Sequence, residues 1–167
     1  MKLMVIGYAR HGKDTVCEII HRRYGLTFQS SSRACAELFI FNRLKDQFNY
    51  STVDECYDDR HNHRQLWYDL IVEYNAQDAT RLGRHIFQHW DMYCGIRNVV
   101  EFEALKKNRV FDWSVWVTRA GYPPEPANSN TLHPELADFT IHNDSTLEQL
   151  EYAVVRTMNQ IFTRSLD

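Results

Sequence analysis

The sequence predicts an α/β domain of three layers built on a mainly parallel sheet. Short apolar runs alternate with stretches of helical periodicity along the 167 residues, the pattern of strands joined by helical crossovers. The first apolar run also ends in glycine just before a helix begins, as a buried strand does when it feeds a βα turn. A hydrophobic content of 44%, with 13% aromatic residues, is enough for the core of one domain. With no internal repeat and no composition break, residues 1–167 are expected to form a single domain.

Taken in order, Lys2 to Ile6 reads as the first buried strand, and a helix follows from Lys13 with Val16, Ile19, Ile20 and Tyr24 at helical spacing. Arg22 and Arg23 suit the negative end of its dipole, and Gly25 supplies the stop. Leu26 to Gln29 reads as a second brief strand. The stretch SSSRACAELFIFNRL opens on capping serines and continues as a helix. From Asn49 to about Arg60 the chain is polar, acidic and turn-rich, and an irregular loop is expected. HRQLWYDLIVEYNAQ and DATRLGRHIFQHW are expected to be amphipathic helices joined near Asp78. MYCGI then reads as a strand, RNVVEFEALKKN as a helix and FDWSVWVTR as a strand. All four prolines lie in AGYPPEPANSNTLHPE, an expected loop. ADFTIHND is the last strand. Ser145 to Thr163 is the last helix, with Leu147, Leu150, Val154, Met158 and Ile161 on one face.

Composition excludes several classes. No apolar run approaches the roughly 18 to 20 residues of a membrane span, and the start is too short for a signal peptide before it enters a glycine turn. A cytoplasmic protein without membrane association is expected, in the host cytoplasm if the source is viral. Cys17, Cys35, Cys56 and Cys94 have no C-x-x-C spacing, so they read as core residues rather than zinc ligands or a disulfide framework. A formal charge of −3 gives no footprint for non-specific nucleic-acid binding. Of the 19 basic residues 14 are arginine, whose planar fork suits phosphate.

Chemistry concentrates in GYARHGKDT, which fits the phosphate-loop pattern G-x-x-x-x-G-K-[ST] except at its last position. Such a loop turns backbone N–H groups inward around phosphates, a lysine reaches the terminal phosphates, and the helix N-terminus adds partial positive charge. Gly7, Ala9, Arg10, His11, Gly12, Lys13, Asp14 and Thr15 are the expected nucleotide-binding residues, and the strand–loop–helix setting is the one the motif requires. Asp14 replaces the hydroxyl that ligates Mg²⁺. A carboxylate is also a hard oxygen ligand, so Asp14 is the candidate metal residue, and Thr15 keeps a hydroxyl for the α-phosphate.

These residues resemble a known family. GYARHGKDT is similar to the phosphate loop of bacteriophage deoxynucleoside monophosphate kinases, a branch of the P-loop kinases. YCGIRNVVEFEAL resembles the strand, arginine and helix that follow there, and ADFTIHNDSTLEQLEYAV the closing strand, Asn-Asp turn and helix. The proline loop lies where the family has its lid. Within the branch the chain looks closest to the kinases that phosphorylate 5-hydroxymethyluracil in DNA, a step of thymidine hypermodification. The resemblance implies a P-loop kinase fold, ATP and Mg²⁺, and a modified base in DNA or a free deoxynucleotide as acceptor. It departs at Gly95, where free-monophosphate relatives often carry an aspartate two residues before the arginine, and this makes Asp14 a substitute source of metal-binding charge.

Phosphoryl transfer needs a loop, a metal, arginines and an oriented hydroxyl. Lys13 is the first candidate for a catalytic role. Arg97, at a strand end, faces the carboxyl edge where α/β folds bind ligands, against the competing reading of a structural ion pair. Glu101 is a catalytic candidate too, although the plainer reading of its spacing is an i,i+4 ion pair with Arg97. Asp91 and Glu103 are weaker alternatives. Arg119, before the proline loop, is placed to close over ATP. His61, His63, Asp58 and Asp59 read as a polar loop rather than a metal cluster. Arg60 with Arg64, and Arg81 with Arg84, read as solvated helix faces or as phosphate clamps. Of the tryptophans, Trp113 and Trp116 should point to opposite faces of their strand, with most of the rings in the core. A homodimer is compatible with the sequence, as is the different class of a nucleotide-binding regulator without transfer activity.

Overall fold

Strand β1 (Leu3–Ile6) is the centre of a five-stranded sheet in the computed structural model, which describes residues 1–127 and 129–166. It pairs in parallel with β3 (Met92–Cys94) on one side and β4 (Trp113–Thr118) on the other, with Leu3 opposite both Met92 and Trp113. Outside these lie β2 (Phe28–Ser30) and β5 (Phe139–His142), also parallel, giving the order β2-β3-β1-β4-β5. Every connection must therefore cross over. Helices supply the first three crossovers: α1 (Lys13–Tyr24) between β1 and β2, α2 (Ser31–Cys35), α3 (Phe41–Phe48), α4 (Val53–Asp58), α5 (Arg64–Asn75) and α6 (Arg81–His89) between β2 and β3, and α7 (Val99–Lys107) between β3 and β4. The proline loop with a 3-10 turn, Pro134–Leu136, joins β4 to β5, and α8 (Leu147–Arg164) follows β5.

The alternation of strand side chains divides the core in two. Leu3, Val5, Met92, Cys94, Val115, Val117, Phe139 and Ile141 face α1 and α8, meeting Val16, Ile20, Leu150, Val154 and Ile161. Met4, Ile6, Tyr93 and Trp116 face the other way, onto Ile40, Leu70, Ile86, Phe102 and Leu105 of the remaining helices. The result is the expected three-layer α/β architecture, with helices on both faces of a parallel sheet. All four cysteines are free and buried. Among the described residues no helix is long and apolar enough to cross a membrane.

Four expectations need correction. The second strand runs Phe28–Ser30 rather than Leu26–Gln29, because Thr27 is engaged with Asp91, whose carboxylate accepts from the Thr27 N–H and hydroxyl at 3.0 and 2.9 Å. Within Asn49–Arg60 the expected loop is instead helix α4 followed by a 3-10 turn, Asp59–Asn62. Thr52 accepts from the Glu55 N–H at 3.2 Å while the Glu55 carboxylate accepts from the Thr52 N–H, a complete capping box. Helices α2 and α3 are joined by a π-helical turn, Ala36–Ile40. Ala36, Ile40 and Leu44 all face the core, and residues spaced by four drift about 40° per step around an ideal α-helix, which the wider turn counteracts. Leu147 is 61% exposed, one turn ahead of the buried stripe of α8 that begins at Leu150.

Candidate active site

Because all five strands run the same way, their carboxyl ends share one edge, and the segments after β1, β3, β4 and β5 converge there. The loop after β1 is shaped by two glycines. Gly7 has φ +148° and a Cβ there would overlap the Val117 carbonyl of the neighbouring strand. Gly12, at φ +95°, caps α1, and a Cβ there would strike the Asn143 side chain, which donates to the His11 carbonyl at 3.1 Å. Between them Arg10 adopts φ +65°, an uncommon conformation for a side-chain-bearing residue. The loop thus delivers the N-terminus of α1, with Lys13, Asp14 and Thr15 in its first turn, to the sheet edge.

Lys13 folds back over this loop, its Nζ donating to the Tyr8 carbonyl at 2.8 Å. Burial pushes its pKa below the ordinary lysine value and Arg97 adds to the shift, while Cys94, Asp14 and Glu125 oppose it. A cation so desolvated gains from an arriving phosphate. His11 is only 3% exposed, and its Nδ1 accepts from the Arg119 N–H at 3.1 Å. An accepting Nδ1 places the ring proton on Nε2, which is buried without a partner among the described residues. The Arg119 guanidinium lies 4.6 Å from the centre of the Tyr122 ring. The Arg119 backbone thus meets the loop at His11, while its guanidinium packs on Tyr122.

Arg97 lies outside α7, because Asn98 caps that helix by accepting from the N–H groups of Val100 at 2.8 Å and Glu101 at 3.3 Å. The anticipated i,i+4 pairing of Arg97 with Glu101 does not form. Arg97 pairs instead with Glu125 at 3.3 Å. The other Glu125 oxygen accepts from the Ala9 N–H of the phosphate loop at 2.8 Å and from Asn130 Nδ2 at 3.0 Å. The proline loop, whose Asn128 lies outside the described residues, is also fastened by the Thr131 N–H, which donates to the Arg97 carbonyl at 2.9 Å. Glu101 is buried, accepts from the Tyr93 hydroxyl at 3.1 Å, and has its pKa raised by burial to about 7. Its only side-chain partner among the described residues is thus in the core.

Asp14 is exposed, and the Cys94 thiol donates to it across 3.4 Å. Among the described residues no group of three or more His, Cys, Asp or Glu could hold a metal ion. A single exposed carboxylate beside the glycine loop still fits Mg²⁺, which takes one or two carboxylates and completes its shell with phosphate oxygens and water. The rival candidates have local partners. Arg60 stacks 3.8 Å from the Tyr57 ring, Arg81 4.0 Å from that of Tyr74, and Arg84 donates to Thr80 at 2.8 Å. Asp59 accepts from Tyr50, Asn62 and His63 as part of the α4–α5 junction. Trp67 and Trp116 are core residues, and Trp113 donates to Ser165 at 2.9 Å.

Sequence reasoning missed Glu125, Asn130 and Cys94. Only the tertiary course of the chain brings them to the loop.

No protein-family model matches the chain, and no curated protein sequence matches it. Solved structures do. Shikimate kinase from Bacteroides thetaiotaomicron is 12% identical over 96% of this chain and 98% of that one, with a TM-score of 0.53. TT1252 from Thermus thermophilus is 18% identical over 96% and 97% of the two chains, also at 0.53. At such identities the likeness is one of fold. Together with the five-stranded parallel sheet and the glycine loop after β1, it gives the chain the fold of the P-loop kinases.

Proposed function

We propose that the protein is an ATP-dependent kinase that transfers the γ-phosphate of ATP to the hydroxymethyl group of 5-hydroxymethyluracil in DNA. The observation that carries the kinase reading is the meeting, at one sheet edge, of a glycine loop, a helix N-terminus, the desolvated Lys13 and Arg97. That set neutralises charge on a transferring phosphoryl group, which is most of what such catalysis requires. Backbone N–H groups from the loop and the first turn of α1 bind the phosphates, Lys13 reaches the terminal ones, and Arg119 borders the nucleotide. Arg97 faces the acceptor. The acceptor oxygen bonds to phosphorus, the bridge to the β-phosphate breaks, and the hydroxyl proton leaves to solvent. Asp14 would hold Mg²⁺, which would supply charge neutralisation to the phosphates. Glu101 contributes through packing beneath β3 rather than at the reacting atoms.

The choice of acceptor rests on the family resemblance. A free deoxynucleoside monophosphate is the second reading, favoured by the net charge of −3 and by the pairing of Arg33 and Arg97 with carboxylates. The test is to supply labelled ATP and Mg²⁺ with hydroxymethyluracil duplex, unmodified duplex and a panel of free monophosphates. Label in the modified duplex alone is the expected result. Label confined to free nucleotides replaces the first reading by the second. ATP binding with no transfer to any of them identifies a nucleotide-binding regulator.

A further inference from the structure

Glu125 is the carboxylate that joins the three walls of the site. Its Oε2 accepts from the Ala9 N–H of the phosphate loop, at 2.8 Å, and its Oε1 faces Arg97 Nη1 at 3.3 Å. Its side chain is only 13% exposed whereas that of Arg97 is 57% exposed, so the acid is the fixed member of the pair. It is fixed by Asn130, itself 4% exposed, whose Nδ2 donates to the carboxylate and whose Oδ1 accepts from the Leu132 N–H at 3.0 Å. Thr131 ties the same loop segment to the backbone on both sides of Asn98: its N–H donates to the Arg97 carbonyl, and its hydroxyl accepts from the Val99 N–H at 2.8 Å.

Resting on the kinase reading above, we propose that Glu125 is the positioning residue of the transfer site, holding Arg97 at the acceptor side of the phosphate loop. An arginine is long and loses much rotamer freedom when ordered, so a buried partner that orders it beforehand lowers that cost at the moment of reaction. The carboxylate also separates two cations. Lys13 and Arg97 oppose each other's charge, and Glu125 offsets this at Lys13. It also occupies the Ala9 N–H, which was expected to face the nucleotide, so the N–H groups at the start of α1 are the donors left for the phosphates.

The test compares wild type with Glu125→Gln, which keeps the shape and an acceptor for Ala9 but removes the charge that faces Arg97. ADP release is measured with Mg²⁺ and ATP and with whichever panel acceptor wild type labels. The expected result is a fall in kcat of about 10- to 100-fold, the range for a misplaced catalytic group. The KM for ATP should change less than kcat, because glutamine keeps the acceptor for the Ala9 N–H and so the shape of the loop, and Glu125→Asp should recover part of the loss. Adding Arg97→Gln should cost little more, since the two residues act as one unit. A second measurement needs no nucleotide: the Ala9 amide should exchange with solvent about tenfold faster in Glu125→Ala than in wild type.

Unchanged kcat in Glu125→Gln, or unchanged Ala9 exchange in Glu125→Ala, overturns the proposal. Tighter ATP binding with faster turnover also overturns it, by making Glu125 an internal competitor for the loop. If wild type itself neither binds ATP nor labels an acceptor, the kinase reading fails, and the Ala9 exchange still reports whether the carboxylate holds the loop.

Discussion

Glu101 shows how far a residue can be read from its neighbours in sequence. Four positions after Arg97, it promised either an ion pair or a catalytic acid, but the Asn98 cap takes Arg97 out of the helix and leaves Glu101 facing Tyr93. Burial holds its pKa up to about 7. In the unfolded chain a glutamate titrates near about 4.3, so between that value and about 7 the folded chain binds more protons than the unfolded one. Stability therefore falls as pH rises through that window and levels off above it. Glu101→Gln keeps an acceptor for the Tyr93 hydroxyl and removes the titration. It should match the parent near about pH 4 and exceed it by on the order of 3 kcal/mol near about pH 8, measured by urea unfolding at each pH; parallel pH profiles would refute this. Lys13, Gly7 and Gly12 were legible because a phosphate loop is written in contiguous residues. Glu125 was not, because nothing local distinguishes a glutamate among prolines from a solvated one.

At the scale of the element, most helices and strands followed from periodicity and caps, and the exceptions have local causes. The pattern Thr52-Val53-Asp54-Glu55 spells a capping box, yet the acidic, turn-rich composition around it outweighs four residues of signal. Thr52→Ala should cost about 1 kcal/mol of stability, seen as a lower urea midpoint at unchanged slope, and no loss would mean that α4 is held by tertiary contacts alone. The π-helical turn at Ala36–Ile40 leaves no such trace. Ala36, Ile40 and Leu44 lie in one core stripe that a regular α-helix also presents, so their spacing reads as helix and gives no sign of the wider turn. Ser30 was legible as a cap, accepting from the Arg33 N–H at 3.3 Å.

For the whole molecule, the alternation of strand and helix sufficed to predict the layers, and the parallel sheet then forced the site to one edge. Strand order was not legible, since pairing partners are distant in sequence. Binding at that edge is coupled to the entire fold. ATP with Mg²⁺ at about 100 times its Kd should stabilise the chain by about 2.7 kcal/mol, or roughly 5 to 10 °C in Tm for a chain of this size. Lys13→Ala should fold normally and lose the shift in a thermal melt; a retained shift would remove the loop from nucleotide binding. The register also sets an order in time. Leu3 to Ile6 pair with nothing nearby, only with Met92 to Cys94 and Trp113 to Trp116, and pairings so distant form slowly and late. During synthesis the first strand must wait for most of the chain to emerge. A nascent chain that stops short of Val117 already contains every residue from Gly7 to Thr15, yet lacks the strand whose carbonyl Gly7 packs against. The glycine loop, which precedes these strands in the sequence, is completed only after them.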